Sequence, residues 1–158
     1  MWAKIKPYVI SILIALAVGG LAAFLTRNSM DLYNDIIRPP LSPPGILFPI
    51  VWSVLYVLMG ISAAMIYTDK SGAQAEKENA LKPYVLSLAF NFGWSIIFFN
   101  MRAYLFAFLW LIVLLCLIII TILRYFKINK TAAYLQIPYA LWVIFAGYLN
   151  FAIWILNK

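Results

Sequence analysis

The side chains best placed to do chemistry are tryptophans and neutral amides inside long apolar stretches of the chain. Trp52, Trp94 and Trp142 lie deep in such stretches, where an indole N–H needs a hydrogen-bond partner or its ring a ligand on which to stack. Asn91 and Asn150 supply amides at similar depth. These residue types favour two alternatives, hydrogen bonding between neighbouring helices or contact with a bound ligand, and the two roles can coexist.

Helical spacing gathers these side chains on two faces. The positions recur at intervals of three and four residues: Asn91, Trp94, Ser95 and Phe98 on the first face, and Trp142, Ala146 and Leu149, with Asn150 beside them, on the second. Interhelical hydrogen bonds from such amides contribute about 0.6 kcal/mol on average in membrane proteins. Each face is therefore expected either to pack against a neighbouring helix or to form one wall of a pocket.

Acid–base, nucleophilic and metal chemistry lack the side chains that they need. The chain has no histidine and one cysteine, Cys116, which excludes a disulfide framework, an imidazole zinc site and a Ser-His or Cys-His nucleophile. The five carboxylates all lie outside the apolar stretches: Asp31, Asp35, Asp69, Glu76 and Glu78. Ion-coupled transporters keep an ionisable group at membrane depth, so active pumping is not expected.

The elements that carry these residues are five long uncharged runs. Two-thirds of the chain is hydrophobic (66%), 11% is charged and the mean hydropathy is +0.95, which rules out a water-soluble domain. Each run is long enough to cross a bilayer as a helix, which takes about 20 apolar residues. The sequence predicts one all-α integral membrane domain over 1–158, a five-transmembrane-helix bundle with spans at about 7–26, 46–67, 83–100, 104–124 and 132–156.

Basic residues predict the orientation of the bundle. Eight Lys and Arg fall at the N-terminus and in the second and fourth loops, against four on the opposite side. This bias places the N-terminus in the cytoplasm, and together with the lack of a transit peptide it suits a bacterial cytoplasmic membrane. The net charge of +7 is thus a topology signal, and no nucleic-acid partner is expected.

The first loop, about 27–45, is rich in proline. Pro39-Pro40-Leu41-Ser42-Pro43-Pro44-Gly45 is stiff, because each proline fixes its own φ and restricts the residue before it. Two interpretations stay open, a shaped lid over one end of the bundle and a rigid connector that starts the second span. The polar segment 69–82 is interpreted as a connector without a function of its own.

Three ordered patterns resemble the TspO/MBR family of tryptophan-rich sensory and translocator proteins. The first runs from Tyr33 to Tyr56 and retains Pro39, Pro43, Pro44, Phe48, Val51, Trp52 and Leu55, with Ile36 for the usual Leu and Arg38 for the usual Lys. The second is Asn91-x-x-Trp94-Ser95-x-x-Phe98-Phe99, and the third is Pro138-Tyr139-x-x-Trp142-x-x-Phe145-Ala146-x-x-Leu149-Asn150.

The resemblance implies a five-helix protein, often dimeric, with a pocket inside the membrane that the first loop closes. Family members bind porphyrins, particularly protoporphyrin IX, and synthetic ligands of the benzodiazepine and isoquinoline carboxamide types. Carried over by position, the ligand-binding residues are Tyr33, Pro43, Trp52, Phe90, Asn91, Trp94, Ser95, Trp142, Ala146 and Leu149. No cofactor is required, no metal site is expected, and porphyrin enters as ligand or substrate.

The resemblance also leaves three functions open. The first is porphyrin binding with light-dependent degradation of the porphyrin, for which Trp52 and Trp142 would be the catalytic residues. The second is a non-catalytic tetrapyrrole sensor, and the third is a passive translocator of hydrophobic ligands. The family's sterol pattern, Leu-x-Tyr followed by a basic residue, is broken because Phe151 replaces the Tyr and the next base is Lys158. Sterol binding is therefore expected to be weak or absent.

Overall fold

The computed structural model describes all residues, 1–158, and confirms an all-α membrane bundle. Five helices are long and apolar enough to cross a membrane. The elements in chain order are α1 (Trp2–Thr26), a 3-10 turn (Arg27–Ser29), the one-turn helix α2 (Leu32–Asp35), α3 (Leu47–Thr68), α4 (Gln74–Ser95), a π-helical turn (Ile96–Asn100), α5 (Tyr104–Ile128) and α6 (Lys130–Leu156).

The five long helices form a closed ring in the order α1, α3, α6, α5, α4, with α4 returning to α1. Because successive membrane helices alternate in direction, the N-terminus and the α3–α4 and α5–α6 connections share one end, hereafter the basic end. The first loop, the α4–α5 connection and the C-terminus share the other, hereafter the lid end. Toward the basic end, the Ser62 side chain links α3 to α6 by two hydrogen bonds. Its hydroxyl donates to the carbonyl of Ala132 (2.7 Å) and accepts from the Gln136 amide (3.1 Å).

The α3–α4 connector is shorter than the polar composition of 69–82 suggests, because α4 already begins at Gln74. The Glu76 carboxylate accepts from the Ala73 backbone N–H (3.3 Å), and the Gln74 side chain donates to Glu78 (2.9 Å). Alanine, glutamate, lysine and leucine in this stretch are strong helix formers. The first turns of α4 therefore lead from the basic end into the span.

Two glycines let α1 and α3 approach closely. A Cβ at Gly60 would lie 2.6 Å from the Ile12 Cα, and a Cβ at Gly19 would lie 2.2 Å from the Tyr56 ring. Both glycines belong to ridges of small residues, which allow helix backbones to come together in lipid. At Gly19 and Gly60 the available space is thus occupied inside the monomer, by contact between α1 and α3.

The lid-end part of α4 widens into a π-helical turn. The Met101 N–H donates to the Ile96 carbonyl (3.0 Å), the five-residue spacing of a π-helix. One extra residue per turn rotates the side chains that follow, and the consecutive residues Phe98 and Phe99 both line the cavity described next. Turns of this kind recur at functional sites.

Candidate ligand-binding site

An internal cavity of about 450 Å³ lies under the first loop, among α1, α3, α4 and α6. This volume falls within the range of about 300–1,000 Å³ that is usual for small-molecule sites. A larger concavity of about 890 Å³ lies between α1 and α4, but it is an apolar groove open to lipid. The internal cavity is the stronger candidate because the indole and amide groups converge on it.

Seven of the ten ligand-binding residues predicted from the sequence line this cavity: Tyr33, Trp52, Asn91, Trp94, Ser95, Ala146 and Leu149. The two helical faces identified by spacing thus meet, with the α4 face opposite residues of α6. Trp52 joins them from α3, and Tyr33 closes the cavity from the lid.

Three predicted residues do not line the cavity. Phe90 stacks on Trp110 with ring centroids 4.4 Å apart, because position 90 is turned about 100° around α4 from position 91 and faces α5. Pro43 contributes its carbonyl, which accepts from the Tyr33 hydroxyl (2.7 Å). Trp142 packs edge-on against Phe48 at 6.0 Å, and Phe48, not Trp142, lines the cavity.

The indole N–H of Trp142 is buried and has no hydrogen-bond partner. A buried donor without a partner costs about 1–3 kcal/mol. The Trp142 ring also contacts Phe145, at 5.4 Å between centroids. Because Trp142 packs on Phe48, which lines the cavity, it supports the cavity wall without lining the cavity itself.

Sequence reasoning missed an entire wall, the one formed by α1. Small side chains make room there, and the α1 residues that line the cavity are Leu16, Gly19, Gly20, Ala22, Ala23 and Thr26. The spacing of Ala15, Gly19 and Ala23 forms a ridge of small residues, which by itself indicates helix packing and not a cavity wall. Phe48, Tyr56 and Asn150 also line the cavity and were not among the predicted ligand-binding residues.

The two deep amides hold the walls together and also line the cavity. The Trp94 indole donates to the Asn150 side-chain oxygen (3.0 Å), whose amide nitrogen donates to the Tyr104 carbonyl (2.7 Å). Asn91 donates to the Tyr139 hydroxyl (3.3 Å). Interhelical hydrogen bonding, the first alternative considered for Asn91 and Asn150, is thus confirmed; both side chains also line the cavity, and their contact with a bound ligand stays a prediction.

Aromatic rings form the apolar surface of the cavity. Trp52 stacks on Tyr56 with centroids 5.6 Å apart and meets the edge of Tyr139 at 6.2 Å. Trp94 stacks on Phe98 at 5.3 Å. These contacts fix the ring planes in advance, so that a flat ligand would not have to order them on binding.

Side-chain hydrogen bonds hold the first loop over the cavity. Asn157 bonds both backbone groups of Ile37, and the Tyr148 hydroxyl donates to the Pro40 carbonyl (3.0 Å). Tyr33, held by Pro43, meets the edge of Phe48 at 5.3 Å. Since Tyr33, Asn34 and Gly45 line the cavity, the loop forms part of its wall as well as connecting two helices.

No charged side chain lines the cavity. Arg38 lies beside the cavity-lining Tyr33, with its guanidinium carbon 5.1 Å from the centre of the ring, and the same loop carries Arg27, Asp31 and Asp35. The site is thus neutral and aromatic within, and the Arg38 guanidinium lies beside Tyr33 at the lid.

Comparison with known proteins places the chain in a family. The sequence model of the TspO/MBR family matches residues 11–155. The chain belongs to the TspO/MBR family. It is 33% identical to the "Tryptophan-rich protein TspO" of Chlorobaculum tepidum over 145 residues, which cover 91% of each chain.

Relatives occur outside the bacteria as well. The chain is 35% identical to the "Tryptophan-rich protein TspO" of Archaeoglobus fulgidus over 155 residues, 98% of this chain and 99% of the relative. It is 31% identical to the "Translocator protein" of Bos taurus over 137 residues, 86% of this chain and 81% of the relative. The family resemblance drawn from the three sequence patterns is confirmed, and with it an integral membrane protein.

Proposed function

We propose that this protein binds porphyrins, protoporphyrin IX in particular, and other flat hydrophobic molecules within the membrane. The observation that carries the proposal is the uncharged cavity under the first loop, which is lined by Trp52 and Trp94 as aromatic rings and by Asn91 as an amide. Aromatic walls with a few fixed polar groups are the usual make-up of small-molecule sites. A porphyrin macrocycle matches this chemistry because it is flat, apolar and carries pyrrole nitrogens at its centre.

The carboxylates of protoporphyrin IX require a polar exit from the cavity. Their burial among apolar side chains would be costly, so they would lie at the lid. Arg38 supplies the complementary charge there, beside Tyr33. The macrocycle would enter the bundle with its carboxylates directed toward the membrane surface.

A second candidate function is light-dependent degradation of the bound porphyrin. Trp52 favours it, because an oxidisable indole lines the cavity and stacks on a phenol ring, that of Tyr56. Light would supply the energy and dioxygen the oxidant, so no side-chain acid or base is needed. Trp142, which was predicted to share the catalytic role, is expected to have the smaller effect because it contacts the cavity only through Phe48.

Several further properties belong to the same proposal. The protein requires no cofactor, has no nucleic-acid partner, binds sterols weakly or not at all, and forms homodimers as its resemblance to the family implies. It lies in a bacterial cytoplasmic membrane with the N-terminus in the cytoplasm, as the basic end of the bundle favours. The alternative functions are sensing of the bound ligand without catalysis and its passive translocation across the membrane.

The test is a titration of the purified protein with protoporphyrin IX in the dark, followed by illumination of the same sample with and without dioxygen. Saturable quenching of tryptophan fluorescence supports binding, and its absence overturns the proposal. Loss of the porphyrin band faster than in a protein-free control, slowed by Trp52→Phe, supports degradation. Trp110→Phe is the matched control, because Trp110 packs on Phe90 outside the cavity.

A further inference from the structure

The second half of the first loop, 39–46, is an uncharged turn on the outside of the bundle. The segment 39–68 carries no charge, and the charged residues of the loop all precede it: Arg27, Asp31, Asp35 and Arg38. Within the turn, Leu41 is 79% exposed and Ile46 is 71% exposed. Neither side chain lines the cavity, so packing inside the monomer does not account for these apolar residues.

The Tyr148 hydroxyl holds this turn against the side of α6 that faces lipid. It donates to the Pro40 carbonyl (3.0 Å). Tyr148 belongs to a stripe of exposed apolar side chains on α6 that are three or four residues apart: Leu141, Ile144, Tyr148, Phe151 and Ile155. Because α6 is long and apolar enough to span the membrane, this stripe meets acyl chains, and the Pro40 carbonyl lies at the lipid-facing surface of the bundle.

The turn also lies at the depth of the lid-end interface. From Tyr148 to Leu156, the last residue of α6, the helix rises by about 12 Å, at about 1.5 Å for each residue. Exposed apolar residues continue as far as Leu156, so the lipid-facing surface extends to the end of the helix. Since this rise exceeds the reach of a tyrosine side chain, the Pro40 carbonyl lies below the end of α6 and not above the bundle.

The other end of the turn continues onto the lipid-facing side of α3. Ile46, Ile50 and Val54 recur at intervals of four residues, and all three are exposed. The cavity is lined from a different side of the same helix, by Phe48 and Trp52 among others. Because α3 and α6 are neighbours in the ring, the turn lies across the outer surface of the wall that these two helices form.

Leu41 has a backbone conformation that favours glycine or asparagine. Its φ is +68°, a region in which the backbone crowds a leucine Cβ. The turn closes on itself, since the Ser42 N–H (3.3 Å) and hydroxyl (2.7 Å) both donate to the Pro39 carbonyl. Transfer of the Leu41 side chain from water to lipid would compensate for this conformation, whereas a solvated turn would gain nothing from leucine.

We infer that the turn 39–46 is a membrane-contact surface, which anchors the lid in the lid-end leaflet through Leu41 and Ile46. The partner is the bilayer that the bundle itself spans, and the contact is apolar because the turn has no charged side chain. The lid then has two attachments, hydrogen bonds to α6 and apolar contact with lipid. Opening the lid withdraws Leu41 from the membrane, so the surrounding lipid influences access to the cavity, whatever ligand the cavity takes.

Fluorescence quenching in phosphatidylcholine nanodiscs locates the turn directly. In a Cys116→Ala background, Leu41→Cys is labelled with an environment-sensitive nitrobenzoxadiazole dye. We expect the label to be quenched by nitroxide-bearing lipid and to lose most of its quenching by aqueous iodide. Asp35→Cys, an exposed position in the first half of the same loop, is the reference in water, and Ile144→Cys, on the exposed stripe of α6, is the reference in lipid.

Hydrogen exchange tests the anchor without a label. Asparagine adopts positive φ more readily than leucine, so Leu41→Asn keeps the turn and removes its apolar side chain, whereas Leu41→Phe keeps an apolar side chain. In nanodiscs, we expect amide exchange in 31–46 to be about tenfold faster for Leu41→Asn, the factor for roughly half of the burial of a leucine side chain. Leu41→Phe should exchange like the parent. Because Leu41 is exposed, both variants are expected to fold as the parent does.

Three results would overturn the inference. Iodide quenching of the label at Leu41→Cys as strong as at Asp35→Cys would place the turn in water. Protection of the Leu41→Cys label from both quenchers would mean that protein, such as a second copy of the chain, covers the turn. Equal exchange rates in Leu41→Asn and Leu41→Phe would mean that lipid contact does not hold the lid.

Discussion

The side-chain amide of Asn157, beyond the last turn of α6, bonds both backbone groups of Ile37 in the first loop. Its oxygen accepts from the Ile37 N–H (2.9 Å) and its nitrogen donates to the Ile37 carbonyl (2.9 Å). The same nitrogen donates to the Ile153 carbonyl of α6 (2.9 Å), which fixes the amide plane. One side chain thus satisfies a backbone position 120 residues away and holds the lid to the C-terminal helix.

Replacing Asn157 with Ala should loosen the lid. The variant loses two hydrogen bonds, each of which contributes about 1 kcal/mol or somewhat less because both are exposed to solvent. Lid opening should therefore be roughly tenfold more frequent. Hydrogen exchange of the backbone amides in 31–46, followed by mass spectrometry, measures this directly. Asn79→Ala, at the basic end, is the control, and an unchanged exchange rate in Asn157→Ala would show that Asn157 does not hold the lid.

Replacing Arg38 with Gln should weaken binding of protoporphyrin IX about fivefold, since an exposed ion pair contributes up to about 1 kcal/mol. The dimethyl ester of the same porphyrin has no charge to pair and should bind parent and variant alike. Fluorescence titration with both ligands gives the ratio. Arg27→Gln serves as control because that guanidinium lies over Phe24, 4.0 Å from the ring centre. If the ester lost as much affinity for the variant as protoporphyrin IX does, the role of Arg38 would lie in packing and not in its charge.

Replacing Gly60 with Ala should destabilise the bundle. The new Cβ would lie 2.6 Å from the Ile12 Cα, a backbone atom that can move only if α1 shifts as a whole. Overpacking of this kind costs about 1–3 kcal/mol. Gly20→Ala meets no atom within 4 Å and should be neutral or stabilising by up to about 1 kcal/mol through helix propensity. Thermal unfolding in one detergent compares the two, and equal midpoints would contradict the close packing of α1 and α3.

Asp69, just after α3, should make the free energy of unfolding depend on pH in the acidic range. Hydrogen bonds from the Ser71 hydroxyl, the Ser71 backbone N–H and the Asn129 amide lower the pKa of this carboxyl to about 2. Because the folded-state pKa lies below the unfolded value, the carboxylate stabilises the fold above about pH 4, and that contribution is lost as the pH falls toward 2.

Asp69→Asn should therefore lower the unfolding midpoint at pH 5, and its difference from the parent should shrink as the pH falls toward 2. Thermal unfolding across this pH range provides the measurement. Asp35→Asn is the control, since the Asp35 side chain makes no hydrogen bond within the chain. A constant difference between Asp69→Asn and the parent at every pH would refute the role of ionisation.

The sequence was sufficient to predict the bundle, because each helix must satisfy its backbone within itself once lipid replaces water. Uncharged runs of about 20 residues therefore indicate spans without any knowledge of packing. Spacing within one helix was also informative: Asn91, Trp94 and Ser95 do face the cavity together. The start of α4 was harder to predict, because polarity alone does not distinguish a solvated helix turn from a loop.

Contacts between helices were less predictable. Position by position, the resemblance included Phe90 and Trp142 among the cavity residues, yet a rotation of one residue turns Phe90 toward Trp110, and Phe48 takes the place on the wall in front of Trp142. The α1 wall gave no chemical signal, since glycine and alanine contribute space and not functional groups. The role of Asn157 could not be predicted either, because its partner is a backbone group that any residue type would supply.

The sequence by itself thus determined the membrane class, the five spans, the absence of conventional acid–base side chains within them and the helical faces that carry tryptophan and asparagine. These properties follow from local periodicity and from transfer of side chains between water and lipid, which depend on one segment at a time. The tertiary structure alone decided which faces enclose the cavity, how the lid is held and where an apolar groove remains between α1 and α4. Those features depend on the relative rotation and approach of separate helices, which close contacts such as that of Gly60 with Ile12 fix and no single segment encodes.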